Sequence, residues 1–403
     1  MSEAAYDPWS PDFVANPYPV FAALRAERPV FFHEPTGQWV ISRYADVDAL
    51  LRDRRLGRSY LHVAGHEEFG REPEPEFLKP FWDLIRAGML DVEPPVHTRL
   101  RRLVSKAFTA RMVEGLRPMI RGLAEELAGA LAAKGGGDLL AEVAEPLPVN
   151  VIAEMLGVPE EDRPLLRPWS AAICGMYELN PSPEAQRAAV RAAVEFSGYL
   201  RGLAGERRAA PRDDLISALA QVVDEEGDRL TEDELIGTCV LLLNAGHEAT
   251  VNATGNGWWA LFREPGALAR LRDDPALVPS AVEELMRFDT PAPMFERWVL
   301  EDIEVGGVTI PRGQEVALQF ASANRDPEVF ADPDRLDLAR DPNPHITFGL
   351  GVHYCLGAPL ARIELAESYR ALLRLAPGMR LVAEPRWKPG FVLRGLRELQ
   401  VEI

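Results

Sequence analysis

Residues 348–357 read "FGLGVHYCLG". One cysteine, Cys355, stands among three glycines, a histidine and bulky apolar residues. Gly349 and Gly351 permit a tight loop, because glycine takes left-handed backbone without steric cost. The stretch that follows, "LGAPLARIELAESYRALLRL", has a helical pattern, so Cys355 sits just before a helix. Free backbone N–H groups and the helix dipole favour a thiolate there. A thiolate is what a metal ligand requires. The other two cysteines, Cys174 and Cys239, lie in unpatterned surroundings.

Upstream, "TEDELIGTCVLLLNAGHEATVNATGNGWWALFREP" predicts the longest helix, from Thr231 to Glu264 without a proline. Thr231 and Glu234 form a capping box. Its middle, "CVLLLNAG", is apolar all round and is expected to be buried on every side. "AGHEAT", Ala245 to Thr250, breaks two ordinary rules. A helix-interior glycine costs about 1 kcal/mol relative to alanine, and Glu248 in an apolar stretch is expensive unless paired or hydrated. Thr250 lies one turn beyond Gly246, and its hydroxyl can bond back to that turn. Together these predict a locally opened helix beside a small ligand or water. The zinc-protease pattern H-E-x-x-H fails, since Val251 stands where the second histidine belongs.

Elsewhere the chain is mostly helical. "NPYPVFAALRAERP" reads as a short amphipathic helix, and "VFFHEPTGQWVISR" as two strands around Pro35-Thr36-Gly37. "VEGLRPMIRGLAEELAGALAAKGGG" reads as one helix stopped at Gly135–Gly137, and "VNVIAEMLGVP" as another ending at Gly157. Residues 160–210, rich in proline and arginine, predict a mobile, partly exposed helical cap. Strand signals return in "ERWVLEDIEVGGVTI" and "EVALQFA". The predicted class is mainly α with small β-sheets. Length alone suggests about two to three domains, but no linker or repeat interrupts the 403 residues, so a single domain over 1–403 is expected.

With 62 acidic against 44 basic residues the formal charge is -18, which disfavours nucleic acid as a partner. Three irregularly spaced cysteines exclude a disulfide framework. "MSEAAYDPWSPDF" resembles no signal peptide, and no apolar run suits a membrane span. A soluble, cytoplasmic monomer is the expectation.

Two further patterns are weak alone. Glu284 and Arg287 in "EELMR" form an i, i+3 pair of a kind common on solvated faces. His97 and Arg101 in "PPVHTRLRRLVSKAF" share one helical face and could grip an anion together. Order supplies what each lacks. His97/Arg101, Glu248/Thr250, Glu284/Arg287, Arg297 and Cys355 follow one another along most of the chain. This order resembles that of the cytochrome P450 family of haem-thiolate monooxygenases, in the style of its soluble bacterial members. The cysteine loop fits F-G-x-G-x-H-x-C-x-G at every fixed position.

The resemblance implies the cytochrome P450 fold, a long central helix over a buried haem b (iron protoporphyrin IX). It makes Cys355 the axial thiolate of the iron, within a loop shaped by Phe348, Gly349 and Gly357. His97, Arg101, Arg297 and His353 would bind the two propionates. Ala245, Gly246, Glu248 and Thr250 would form the oxygen-binding groove, with Glu248 and Thr250 as the proton relay. The departure is Ala249, where a hydroxyl residue is frequent before the threonine. Glu284 and Arg287, with Arg335 of "DPDRLDLAR", would lock the core behind the haem. Leu90, Leu242, Ala292, Met294 and Val392 would line an apolar substrate pocket beside Ala245.

The implied reaction inserts one atom of O2 into a lipophilic small molecule. Electrons would come from NAD(P)H through a ferredoxin and its reductase, since no flavin or iron–sulfur domain is read before Ile403. Arg99, Arg102, Lys106 and Arg362 would form a basic patch for an acidic ferredoxin. The alternatives are a peroxide-driven haem-thiolate enzyme and a non-enzymatic haem sensor or carrier.

Overall fold

Gly37 closes the first hairpin in the left-handed region, at φ 66°. The structure, a computed structural model describing residues 6–403, places β1 (Val30–His33) and β2 (Gln38–Ile41) on either side of that turn. They pair antiparallel from Val30↔Ile41 to His33↔Gln38. The remaining strands are β3 (Leu56–Gly57), β4 (Gly136–Asp138), β5 (Met294–Val299), β6 (Ile303–Val305), β7 (Val308–Ile310), β8 (Glu315–Gln319), β9 (Arg380–Leu381) and β10 (Gln400–Glu402). The main sheet has the order β1-β2-β8-β5-β3. β2 joins β8 in parallel, with Trp39 opposite Val316, and β5 joins β8 antiparallel, with Arg297 opposite Val316. β4, β10 and β9 form a second sheet, and β6 with β7 a hairpin. Helices make up most of the rest, as predicted.

The chain divides into two compact units. One holds the described residues up to Leu56, with Arg117–Leu147 and Ala249–Ile403; the other holds Gly57–Leu116 and Pro148–Glu248. In the first, Ile41, Val47, Val299, Val316, Leu318 and Ile346 form one apolar cluster beneath the main sheet. Burying each such side chain is worth roughly 1.5–3 kcal/mol. In the second, Trp169 of the helix Arg163–Cys174 stacks on Phe196 of the helix Pro183–Ala209, centroids 5.1 Å apart. Arg207, at the end of that longer helix, is buried but satisfied: it donates to Asp214 at 2.5 Å and to the Gly157 carbonyl at 2.7 Å. Gly157 ends the helix Pro146–Leu156 at φ 76°, as its sequence position predicts.

One predicted helix is two. Ala110–Gly115 and Arg117–Lys134 are separated at Leu116. Pro118 falls in the first turn of the second helix, where a missing N–H does no harm, whereas inside a continuous helix it would break the ladder.

The long helix runs Glu232–Arg263. Its capping box forms as read: Glu234 N–H donates to Thr231 Oγ1 at 3.2 Å, and Thr231 N–H to Glu234 Oε2 at 2.8 Å. Two expectations fail there. The helix is uninterrupted through Ala245–Thr250, so it is not locally opened. Gly246 serves packing instead: a Cβ added there would meet Ile152 Cδ1 at 2.9 Å. Nor is the middle buried on every side. Leu241, Leu242, Ala245, Gly246, Glu248 and Ala249 retain exposure, while Leu243, Asn244, His247 and Thr250 are buried. At 3.6 residues per turn the first group is one continuous stripe, centred on Ala245 and Ala249.

Candidate functional site

The cysteine loop begins at a buried hydrogen-bond knot. Asn324 accepts the Ile346 N–H at 2.8 Å and donates to Thr347 Oγ1 at 2.9 Å, and that hydroxyl donates to the Met286 carbonyl at 3.0 Å. The chain then turns, with Gly349 at φ 66° donating to the Ile346 carbonyl at 2.8 Å. Gly351 follows at φ 71°, and a Cβ there would lie 2.3 Å from the Leu51 carbonyl oxygen. No other residue fits that position. Past the short turn Gly351–His353, the Cys355 N–H donates to the Phe348 carbonyl at 3.0 Å, closing the loop. His353 and Cys355 are half-buried. Gly357 caps the helix Ala358–Leu375. Its conformation does not demand glycine, since a Cβ there would sit 3.9 Å from Cys355 Sγ, an ordinary contact.

Behind the loop, Glu284 and Arg287 are fully buried on the helix Val278–Phe288. Arg287 Nε donates to Glu284 Oε2 at 2.7 Å and Nη2 to Oε1 at 2.8 Å; Nη1 reaches the Asn324 and Pro333 carbonyls at 2.8 and 2.9 Å. A buried ion pair survives only when its other donors and acceptors are satisfied. Here the sequence points to the wrong arginine. Arg335 is exposed and contributes its backbone carbonyl, 3.4 Å from Arg287 Nη2. Arg340 supplies the second cation, its Nε 3.1 Å from Glu284 Oε2. The Asp337 N–H and Asn343 Nδ2 complete the carboxylate's partners at 2.9 and 3.2 Å. Both arginines lie in one loop, and nothing local distinguishes them.

On β5, Arg297 is 7% exposed and its Nη1 donates to the Glu296 carbonyl at 2.8 Å. Of the expected pocket residues in this unit, Ala292 and Val392 are buried. Met294 is fully buried, its sulfur 3.9 Å from the Tyr6 hydroxyl and 4.0 Å from Gln319 Nε2, so it packs in the core rather than facing an open pocket.

In the second unit, His97 and Arg101 lie on the helix Val96–Ala107 as expected from their spacing. His97 is 2% exposed; Arg101 and Leu90 are half-buried. Three of the four cations expected to form a free basic patch are in ion pairs. Arg99 binds Glu234 and lies 3.6 Å from Asp228; Arg102 lies 2.5 Å from Asp224 and 3.1 Å from Glu226. Arg362, in the first unit, lies 2.7 Å from Glu283. The acids that neutralise them are distant in sequence, which is why the pattern reads as uncompensated.

On the long helix, Leu242, Ala245, Gly246 and Glu248 lie on the exposed stripe, but Thr250 does not. Thr250 is 6% exposed and turned off the stripe; its carbonyl accepts from Thr254 Oγ1 at 2.9 Å. The two residues at the centre of the stripe are Ala245 and Ala249, neither of which has a hydroxyl. The paired acid and alcohol of the sequence reading therefore do not share a face.

These residues suit an iron porphyrin with two carboxylates. The first unit offers one thiolate-forming sulfur at Cys355 with the imidazole of His353 and the guanidinium of Arg297, and the second by itself offers His97 and Arg101, groups that carboxylates prefer. The loop carrying the sulfur is kept thin at Gly351, which a single Cβ would spoil. A partly exposed, largely apolar stripe in the middle of the long helix suits a flat apolar ring or substrate. Among the described residues, no helix is long and apolar enough to cross a membrane.

Comparison with known proteins agrees. A family profile described as Cytochrome P450 matches residues 176–374. The chain is 40% identical over 399 residues to the Cytochrome P450 monooxygenase PikC of Streptomyces venezuelae, covering 97% of this chain and 92% of that protein. It is 43% identical over 393 residues to the Mycinamicin IV hydroxylase/epoxidase of Micromonospora griseorubida, covering 94% of each. The crystal structure of P450BioI in complex with hexadec-9Z-enoic acid ligated acyl carrier protein superposes with a TM-score of 0.90, at 36% identity over 98% of this chain and all of that one.

Proposed function

Because the chain belongs to the cytochrome P450 family, and so is a haem-dependent monooxygenase of small organic substrates, we propose that it hydroxylates or epoxidises a lipophilic molecule with Cys355 as the iron ligand. The observation that carries this is the Cys355 loop, whose thinness at Gly351 and closure onto Phe348 leave its one sulfur presented by rigid backbone. Haem, when bound, would supply the oxidising chemistry, made stronger by electron donation from the Cys355 thiolate.

The protein's residues do the rest. His97, Arg101, Arg297 and His353 would hold the propionates, as imidazole and guanidinium groups suit carboxylates. The Glu284–Arg287–Arg340 cluster keeps the segment leading into the cysteine loop in register. Leu242, Ala245, Gly246 and Ala249 offer substrate an apolar wall and exclude bulk water, while Glu248, on the edge of that stripe, takes up and releases protons at its carboxyl. NAD(P)H is the electron source, through a ferredoxin and its reductase. Arg99, Arg102 and Arg362 are already paired with acids, so docking at that patch would draw on charge that is partly neutralised. The oxygenation of mycinamicin IV by one relative supports a lipophilic, medium-sized substrate here.

Cys355→His tests the ligand. The variant should retain some haem and lose the strongly red-shifted Soret band of the ferrous CO complex. Survival of that shift would remove Cys355 from the iron.

A second reading, use of peroxide in place of O2 and electrons, is favoured by Ala249 at the centre of the stripe and Thr250 turned aside. Product formed with NAD(P)H, ferredoxin and reductase, set against product formed with peroxide alone, separates the two. On the first reading, Thr250→Ala leaves product per NAD(P)H close to that of wild type, because Thr250 is buried off the exposed stripe.

A further inference from the structure

Phe348 is held from two directions. Its backbone carbonyl accepts the Cys355 N–H at 3.0 Å. Its ring lies under the guanidinium of Arg362, 4.4 Å from centroid to Cζ, with the rings of His345 and Tyr354 at 6.0 and 6.4 Å. A guanidinium over an aromatic face is worth about 0.5–2 kcal/mol, more when shielded from water. Arg362 is itself aimed by Glu283. Its Nε and Nη2 donate to the two carboxylate oxygens at 2.7 and 2.8 Å, and His345 Nε2 lies 3.0 Å from Oε2.

Glu283 precedes Glu284 on the helix Val278–Phe288, so both carboxylates that brace the loop come from one rigid element. Burial raises the Glu283 carboxyl, but its hydrogen bonds from His345 and Arg362 prevail and hold it at about 2. Arg362 is held above its usual range, chiefly by its hydrogen bond to Glu283. The pair therefore stays charged at any working pH. A cation so fully engaged is a poor free charge for a docking partner, yet it lies against Phe348, whose carbonyl accepts the Cys355 N–H.

We propose that Glu283 and Arg362 are positioning residues for Cys355: the carboxylate aims the guanidinium at the Phe348 ring, and the clamped Phe348 carbonyl keeps the Cys355 N–H engaged, so that the pair sets the electron-donor strength of the sulfur. The inference rests on Cys355 being the iron ligand. Releasing the clamp frees the Cys355 N–H and admits water beside the sulfur. Hydrogen bonds to a ligating sulfur weaken its donation and raise the metal's reduction potential.

The test is potentiometric titration of the purified haem protein without ferredoxin, so that a docking role cannot imitate the result. Arg362→Ala should raise the ferric/ferrous potential, and Glu283→Gln should raise it too. Arg362→Lys keeps the charge but loses the two-point pair, and should also raise it. If Arg362 acted through its charge alone, its removal would lower the potential and lysine would restore the wild-type value; either result overturns the proposal. In a Phe348→Leu background the Arg362→Ala shift should shrink by at least half. An equal shift in both backgrounds also overturns it, because the coupling would not pass through the ring. The CO spectrum of the wild-type protein separates the two claims. Absence of the red-shifted Soret band fails the ligand reading and this inference together. A normal band with unmoved potentials in the variants fails this inference alone.

Discussion

Glu364 lies inside the helix that follows the cysteine loop and is 1% exposed. Burial pushes its carboxyl from 4.5 up to about 8. At neutral pH the folded protein therefore keeps this acid protonated, while the unfolded chain ionises it. For an acid raised in this way the stabilising contribution is complete below pH 4.5 and is lost as the pH climbs through 8. Each pH unit in that window removes about 1.4 kcal/mol. At pH 7 the folded state is then about 3 kcal/mol less stable than one carrying a neutral side chain of the same shape. Glu364→Gln supplies that side chain. Urea denaturation of both haem proteins, followed by far-UV circular dichroism from pH 5 to pH 8, should give midpoints that converge at the acid end. The variant should be progressively ahead toward the alkaline end. A midpoint difference that does not vary with pH, or a variant that falls further behind as pH rises, would refute the reasoning.

Gly351→Ala places a Cβ against the Leu51 carbonyl in a left-handed backbone conformation, so the loop must shift. Helix content by circular dichroism should be preserved while the haem-to-protein absorbance ratio of the purified variant falls at least severalfold. Arg340→Ala leaves the buried Glu284 with one cation fewer, a loss on the order of 2–4 kcal/mol, whereas Arg335→Ala removes only an exposed side chain and should lie within about 0.5 kcal/mol of wild type. Thermal midpoints measured side by side decide between the two arginines.

What the sequence makes plain is what local physics determines. The capping box of Thr231 and Glu234, the stop at Gly157, the hairpin at Gly37 and the loop around Gly349 and Gly351 each depend on residues a few positions apart. The features missed depend on partners far along the chain. Gly246 reads as a weak point in a helix, but Ile152 makes it a point of close approach. Arg99 and Arg102 read as free cations until Asp224, Glu226 and Glu234 fold against them. Thr250 and Ala249 differ by 100° around the helix, and only the packing around it decides which of them is exposed. The choice of Arg340 over Arg335 was not legible at all, since both lie in one irregular segment of similar composition.

The parallel pairing of β2 with β8 has a consequence for synthesis. At the ribosome the hairpin of Val30–Ile41 emerges early, yet one edge of it has no partner until Val316–Leu318 has been made. For most of translation the nascent chain carries an unpaired strand edge with Trp39, Val40 and Ile41 on it, the kind of edge that recruits other chains. Slow elongation lengthens that exposure, and a chain truncated before β8 retains it permanently. Prematurely terminated forms should therefore collect in aggregates or on chaperones, however well their helices form.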